Sequence, residues 1–142
     1  HAMLASLLRR WSAEELRLVL IDPKKVELSA YRDIPHLAVP VVTDMDQASR
    51  ALGWVVDEME RRYAHIAAAG ARDFDGYHAR SSCPRIARLV VVVDELADLM
   101  LVASQDVEAQ IATCIRELIN IYSEIIAGII TWRHRCLSAD LA

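Results

Sequence analysis

The stretch that decides the fold is Arg88-Leu89-Val90-Val91-Val92-Val93-Asp94-Glu95-Leu96-Ala97-Asp98-Leu99-Met100, an unbroken apolar run that stops at two adjacent carboxylates. β-Branched residues dominate the run, which reads as a strand buried on both faces, as inside a parallel sheet covered by helices. Asp94 and Glu95 then fall at its carboxyl end, where open α/β sheets place their ligands. One carboxylate there suits a hydrated Mg²⁺, and its neighbour suits orienting or deprotonating a water. The competing reading is structural: the acids end the strand and favour the N-terminus of a following helix. A third, in which Asp94, Glu95 and Asp98 serve an unrelated metal-dependent enzyme, lacks a nearby histidine and is the weakest.

Around this stretch, 142 residues suit one domain with a single core. A hydrophobic share of 54% with 25% charged residues excludes disorder over most of the chain. A formal net charge of −4 gives no global basic footprint for nucleic acid, so such a partner would need a local patch or a larger assembly. Cys83, Cys114 and Cys136 form neither a CxxC pair nor an even disulfide framework, which suits a reducing compartment. No zinc site and no secretory leader are visible, and a soluble cytoplasmic chain is expected.

Upstream, Leu4, Leu7, Leu8 and Trp11 repeat at helical spacing, and Leu16 to Ile21 reads as a strand ended by Asp22-Pro23. His36 to Val42, flanked and interrupted by prolines, is an edge strand or an irregular connection. Thr43 or Asp44 caps a long helix ending before Gly70, with Ala48, Leu52, Val55, Val56, Met59, Tyr63 and Ile66 as its apolar face. His65 is expected in solvent, and the charges from Asp57 to Arg62 read as a solvated face with weak local pairs. Ala71 to Arg85 reads as a loop. Downstream, Val107 to Ile130 carries isoleucines at helical spacing with strand character near its end; the charges interrupting it exclude a membrane span. Trp132-Arg133-His134-Arg135 reads as the basic end of a helix, with a nucleic-acid role as the lesser alternative.

Four stretches together resemble the motor domain of the FtsK/SpoIIIE family of bacterial DNA translocases. They are Leu16-Arg17-Leu18-Val19-Leu20-Ile21-Asp22-Pro23-Lys24 with Glu27-Leu28-Ser29-Ala30-Tyr31; Ile34-Pro35-His36-Leu37 with Pro40-Val41-Val42-Thr43-Asp44; Trp54 to Tyr63; and Val90 to Met100. Arg72, Gly76 and Tyr77 also fall where the family has an Arg and a Gly-Tyr pair. The resemblance runs over roughly residues 2 to 105. It implies an α/β fold, a partial RecA-like P-loop NTPase sheet with flanking helices. It also implies an ATP-driven motor that assembles identical subunits as a ring around double-stranded DNA in chromosome segregation and cell division. Under it, Asp94-Glu95 is the Walker B pair: Asp94 supports Mg²⁺ through water, and Glu95 orients or activates the water attacking the γ-phosphate of ATP. The family is membrane-anchored through another segment, so no membrane contact is expected here.

The chain departs from the family's pattern. A GxxxxGK[ST] phosphate loop is absent: the four glycines are Gly53, Gly70, Gly76 and Gly128, and none precedes a lysine. The family's Ala-Thr-Gln-Arg-Pro strand-end motif is also missing, and the connection from His78 to Arg88 is short. The expected organisation is a partial motor domain over 1–105 and a divergent helical segment, 106–142, packed on it. Without the neighbouring strands, Val90 to Val93 would expose a backbone edge. Either that edge self-associates or the isoleucine-rich C-terminal part rearranges to cover it. The functional alternatives are a part of the motor, with little or no ATP hydrolysis as an isolated chain, or a non-catalytic oligomerisation or partner-binding module.

Overall fold

The computed structural model describes residues 1–80, 82–96, 109 and 111–113, and the backbone at 129–131. The central sheet has three parallel strands in the order β1 (Leu16–Ile21), β2 (Arg88–Val93), β3 (Ile129–Thr131). β1 and β2 pair along their whole length, from Leu16 opposite Arg88 to Ile21 opposite Val93. Both are buried on two faces, as their apolar runs require. Period-two alternation splits them cleanly. Val19, Ile21, Leu89, Val91 and Val93 pack against Ala48, Leu52 and Val55 of helix α2 (Met45–Ala68). Leu16, Leu18, Leu20, Val90 and Val92 face Leu4 of helix α1 (Ala2–Arg10), together with Leu28. A parallel pair needs a crossover, and α2 lies in the connection between the two strands.

The ends of α2 follow the sequence signals. Asp44 is the N-cap and its carboxylate accepts from Gln47 N at 3.1 Å. Gly70, with φ of +66°, lies just past the C-cap Ala69 and takes the left-handed conformation that a side chain resists. The solvated reading of Asp57 to Arg62 needs correction at its end. Arg62 is buried, donates to Glu58 Oε1 at 2.7 Å and donates to the carbonyl of Ala87 at 2.6 Å, so it ties α2 to the entry of β2. Arg62 falls three residues after Met59 and four before Ile66, on the buried stripe, where a charged residue stays only with partners for its guanidinium. His65 is exposed, as expected. The region read as a loop contains a short helix, α3 (Phe74–His78), capped by Asp73 and buried through Phe74 and Tyr77. Arg88 then lies over the rings of Trp11 and Phe74, 5.2 and 4.9 Å from their centroids, and fixes the start of β2.

His36 to Val42 is the irregular connection, not a regular strand. It touches the outer edge of β1 in two parallel bridges, Leu18 with Leu37 and Ile21 with Val42. Pro40 lies between them and has no N–H to give a ladder. On the other side, β3 pairs with Val91 to Val93, so the exposed edge expected there is covered over those positions by the chain's own isoleucine-rich part. The expectation of self-association through an open edge therefore loses its premise over Val91 to Val93. The remaining readings for 97–142, including the helical spacing from Val107 to Ile130 and the basic tail, lie largely outside the described residues.

Candidate functional site

The carboxyl ends of β1 and β2 come together because the strands are parallel and in register. The ladder continues one step past both strands, with Asp94 N donating to Ile21 O at 3.0 Å, so Asp22 and Asp94 leave the sheet side by side. Asp94 and Glu95 are half-buried at this end, where their place in the sequence put them. Asp98 and the cysteines Cys114 and Cys136 lie outside the described residues; Cys83 is a free thiol.

Asp22, which the sequence presents as a strand terminator beside Pro23, stands at the same sheet end. It is fully buried. Its backbone N–H donates to Val42 O at 2.8 Å, and its Oδ2 accepts from Leu28 N at 3.0 Å. Among the described residues Oδ1 has no hydrogen-bond partner. The loop that wraps this carboxylate turns at Lys25, whose φ of 60° is left-handed, and its N–H donates to Asp22 O at 3.1 Å. The signal was present in the sequence: a carboxylate at the end of a strand that pairs in parallel with the Asp94 strand must share the same sheet end. What was missing was the pairing, since β1 and β2 are separated by the whole of α2.

Asp94 has a raised pKa, first because burial penalises its charged form, then because the Asp22 carboxylate stands beside it. Glu27 and Glu95 add to the rise and Lys24 opposes it. The site is therefore short of positive charge, which is the condition in which a divalent cation would bind. Among the described residues no three of His, Cys, Asp and Glu are placed to enclose an ion together. The buried Oδ1 of Asp22, without a partner among the described residues, is a further acceptor at the same end.

A model of the FtsK/SpoIIIE family matches residues 1–85. The chain belongs to the FtsK/SpoIIIE family. The match ends ahead of Asp94 and Glu95. Over 121 residues the chain is 48% identical to the DNA translocase FtsK of Tropheryma whipplei (strain TW08/27), covering 78% of this chain and 16% of that protein. It is also 48% identical over 116 residues to the DNA translocase SftA of Bacillus subtilis (strain 168), covering 79% of this chain and 12% of the relative. The chain thus spans less than a fifth of the length of these relatives. A solved structure of the pCW3 conjugation coupling protein TcpA, monomer form with ATPγS, superposes with a TM-score of 0.54 at 19% identity. It covers 84% of this chain and 33% of that one. The fold of this FtsK/SpoIIIE member is accordingly α/β and P-loop NTPase-like. No helix among the described residues is long and apolar enough to cross a membrane.

Proposed function

We propose that this chain is part of an ATP-driven double-stranded DNA translocase motor and supplies its Walker B element. The observation that carries the reading is the position of Asp94-Glu95. They follow an interior parallel strand at the ligand-binding end of the sheet, in a family whose named relatives are DNA translocases. When bound, Mg²⁺ and ATP supply the phosphoryl group and the charge that offsets its negative oxygens. Asp94 would hold the hydrated Mg²⁺. Glu95 would accept a hydrogen bond from the attacking water and aim it, acting as base or orienter. The apolar β2 strand and the α2 layer keep both side chains on a rigid frame, which is what positioning chemistry needs. Assembly of identical subunits around DNA, a cytoplasmic location, and service in chromosome segregation and cell division belong to the same proposal. So does the division into a 1–105 motor part and a 106–142 segment packed on it.

The sequence holds no GxxxxGK[ST], and a metal-supporting carboxylate with a water-orienting one does not replace the backbone and lysine that hold the β- and γ-phosphates. The isolated chain is therefore expected to hydrolyse ATP weakly or not at all. The same missing motif favours the second reading, a non-catalytic module that uses the fold to oligomerise or bind a partner. ATP turnover by the chain and by its Glu95→Gln variant tests the first reading's account of the isolated chain: strong turnover abolished by the change would refute the expected inactivity. Nucleotide-dependent thermal stabilisation separates the two readings, because a ligand that binds only the folded state raises its apparent stability. Stabilisation by Mg²⁺ with ATP supports the motor part, and none supports the binding module.

A further inference from the structure

The opposite end of the sheet holds a cleft of about 500 Å³, lined by neither Asp94 nor Glu95. It opens where β1 and β2 begin, a full strand length from Asp94, with Arg88 N donating to Glu15 O at 2.8 Å at the start of the ladder. The turn from Ser12 to Glu15, helix α3 and the approach to β2 at Arg85 and Ile86 surround it. Its hydrogen-bonding groups are unevenly committed. Glu15 Oε2 accepts from Ser12 N at 3.1 Å and from Ser12 Oγ at 3.0 Å, so this carboxylate is occupied within its own turn. The donors are open. Arg85 is exposed and makes no hydrogen bond among the described residues. His78 Nε2 accepts from Ile86 N at 3.1 Å, which puts the proton of the neutral ring on Nδ1, a donor with no partner among the described residues. Arg88 lies over the rings of Trp11 and Phe74 and holds only a 3.5 Å contact to Asp75, whose side chain is 59% exposed. The pKa of His78 is lowered first by burial and then by Arg85 and Arg88, against the weaker pull of Asp75, so positive charge prevails at that wall.

We propose that this cleft binds a single carboxylate borne by a protein segment, an acidic side chain or a chain terminus, with Arg85 and Arg88 as its charged partners and His78 as a further donor. Guanidinium groups with free N–H donors match a planar oxyanion. Trp11 and Ile86, both half-buried on the lining, give the apolar stem of such a group something to pack on. A lone carboxylate suits the site better than a phosphate backbone. Exposed Glu14 also lines the cleft, exposed Asp75 stands beside Arg88, and the chain carries a net charge of −4, all of which repel a polyanion with its closely spaced charges. The chain spans less than a fifth of the length of its relatives, so a protein of that size holds ample further sequence to supply the segment. The site lies away from the metal end and does not rest on the role given to Asp94.

The test titrates three probes into the full 142-residue chain: hexanoate, its uncharged counterpart hexanamide, and a short DNA duplex as the phosphate-bearing alternative. Binding is read from the NMR signals of the Trp11 indole and the His78 imidazole. Hexanoate should shift both saturably at millimolar concentration, the range open to a ligand of so few atoms, and hexanamide should not. Arg85→Gln changes an exposed side chain, so the fold is kept, and it should weaken hexanoate by about tenfold or more. Glu14→Gln removes repulsion at the cleft and should tighten it. Bound hexanoate should also raise the pKa of His78, because its charge offsets the two arginines, a change that a purely structural Arg85 would not produce. Equal shifts from hexanoate and hexanamide, no shift from hexanoate, or unchanged affinity in Arg85→Gln would each overturn the proposal. Shifts from the duplex and not from hexanoate would assign the cleft to phosphate and overturn it as well.

Discussion

Replacing Arg62 by methionine is the sharpest test of how the site-bearing strand is held. Methionine keeps an unbranched apolar stem, so the change removes chiefly the guanidinium. Two bonds go with it, to Glu58 Oε1 at 2.7 Å and to Ala87 O at 2.6 Å, both in a part-buried setting. Leaving the Ala87 carbonyl without this donor costs about 1–3 kcal/mol. Removing one member of a buried ion pair costs about 3–5 kcal/mol, but Glu58 keeps a second partner in Arg61 at 2.7 Å, so the loss on that side is smaller. The two parts together give about 2–4 kcal/mol, a large share of the roughly 5–15 kcal/mol that holds a typical domain together. Urea unfolding followed by far-ultraviolet circular dichroism would show a lower midpoint at unchanged slope, and the melting temperature should fall by roughly 6–12 °C. Arg62→Lys should recover only part of the loss, because its ammonium lacks the planar fork whose separate nitrogens reach Glu58 and the Ala87 carbonyl. A loss below about 1 kcal/mol for the methionine variant would refute the claim that Arg62 anchors β2.

Three further outcomes follow from the same geometry. Gly70→Ala places a side chain at φ +66° and should cost about 1–2 kcal/mol in chemical denaturation, with no steric penalty from Arg80, whose nearest atom would lie 3.8 Å from the new Cβ. Asp44→Ala removes the cap on α2 and should cost about 1 kcal/mol in the same assay. Two of the shifted carboxylates, Glu58 and Asp94, should respond to pH with opposite signs. The hydrogen bond from Arg61, reinforced by Arg62, lowers the pKa of Glu58. Its stabilisation is therefore present above the ordinary glutamate value and fades as pH falls through the folded value. Burial and the neighbouring Asp22 raise that of Asp94, so ionised Asp94 destabilises the metal-free fold and acidification relieves it. Asp94→Asn should thus raise the melting temperature of the metal-free chain near neutral pH, and the gain should vanish below the ordinary aspartate range.

The unbroken apolar run from Leu89 to Val93 and the helical spacing of α2 made the sheet and its covering helix legible, since burial on two faces leaves little choice of residue. The caps were equally plain, Asp44 and Gly70 being the residues those backbone positions prefer. Asp94 and Glu95 were visible because they interrupt an apolar run. Asp22 was hidden by its proline, which explained the strand end so well that the carboxylate had no separate claim. Its place at this sheet end appears only when β1 is placed beside β2, a contact between residues some seventy positions apart. Arg62 was misplaced for a related reason: a charged residue at the border of an apolar face is buried or not according to what packs on it, and the Ala87 carbonyl comes from another element. Helix α3 was missed because five residues show too little period, while the Asp73 cap and the buried Phe74 and Tyr77 hold it in place.

The central claim is that the carboxyl end of the sheet is the metal-bearing end of a motor fragment, with Asp94 as the supporting carboxylate. Thermal unfolding of the wild type and of Asp94→Asn across a Mg²⁺ titration tests it most directly. A melting temperature that climbs with Mg²⁺ in the wild type and stays flat in Asp94→Asn is the predicted result, the gain reaching about 2.7 kcal/mol at a hundredfold excess over the dissociation constant. An equal climb in both proteins, or none in either, would contradict the account.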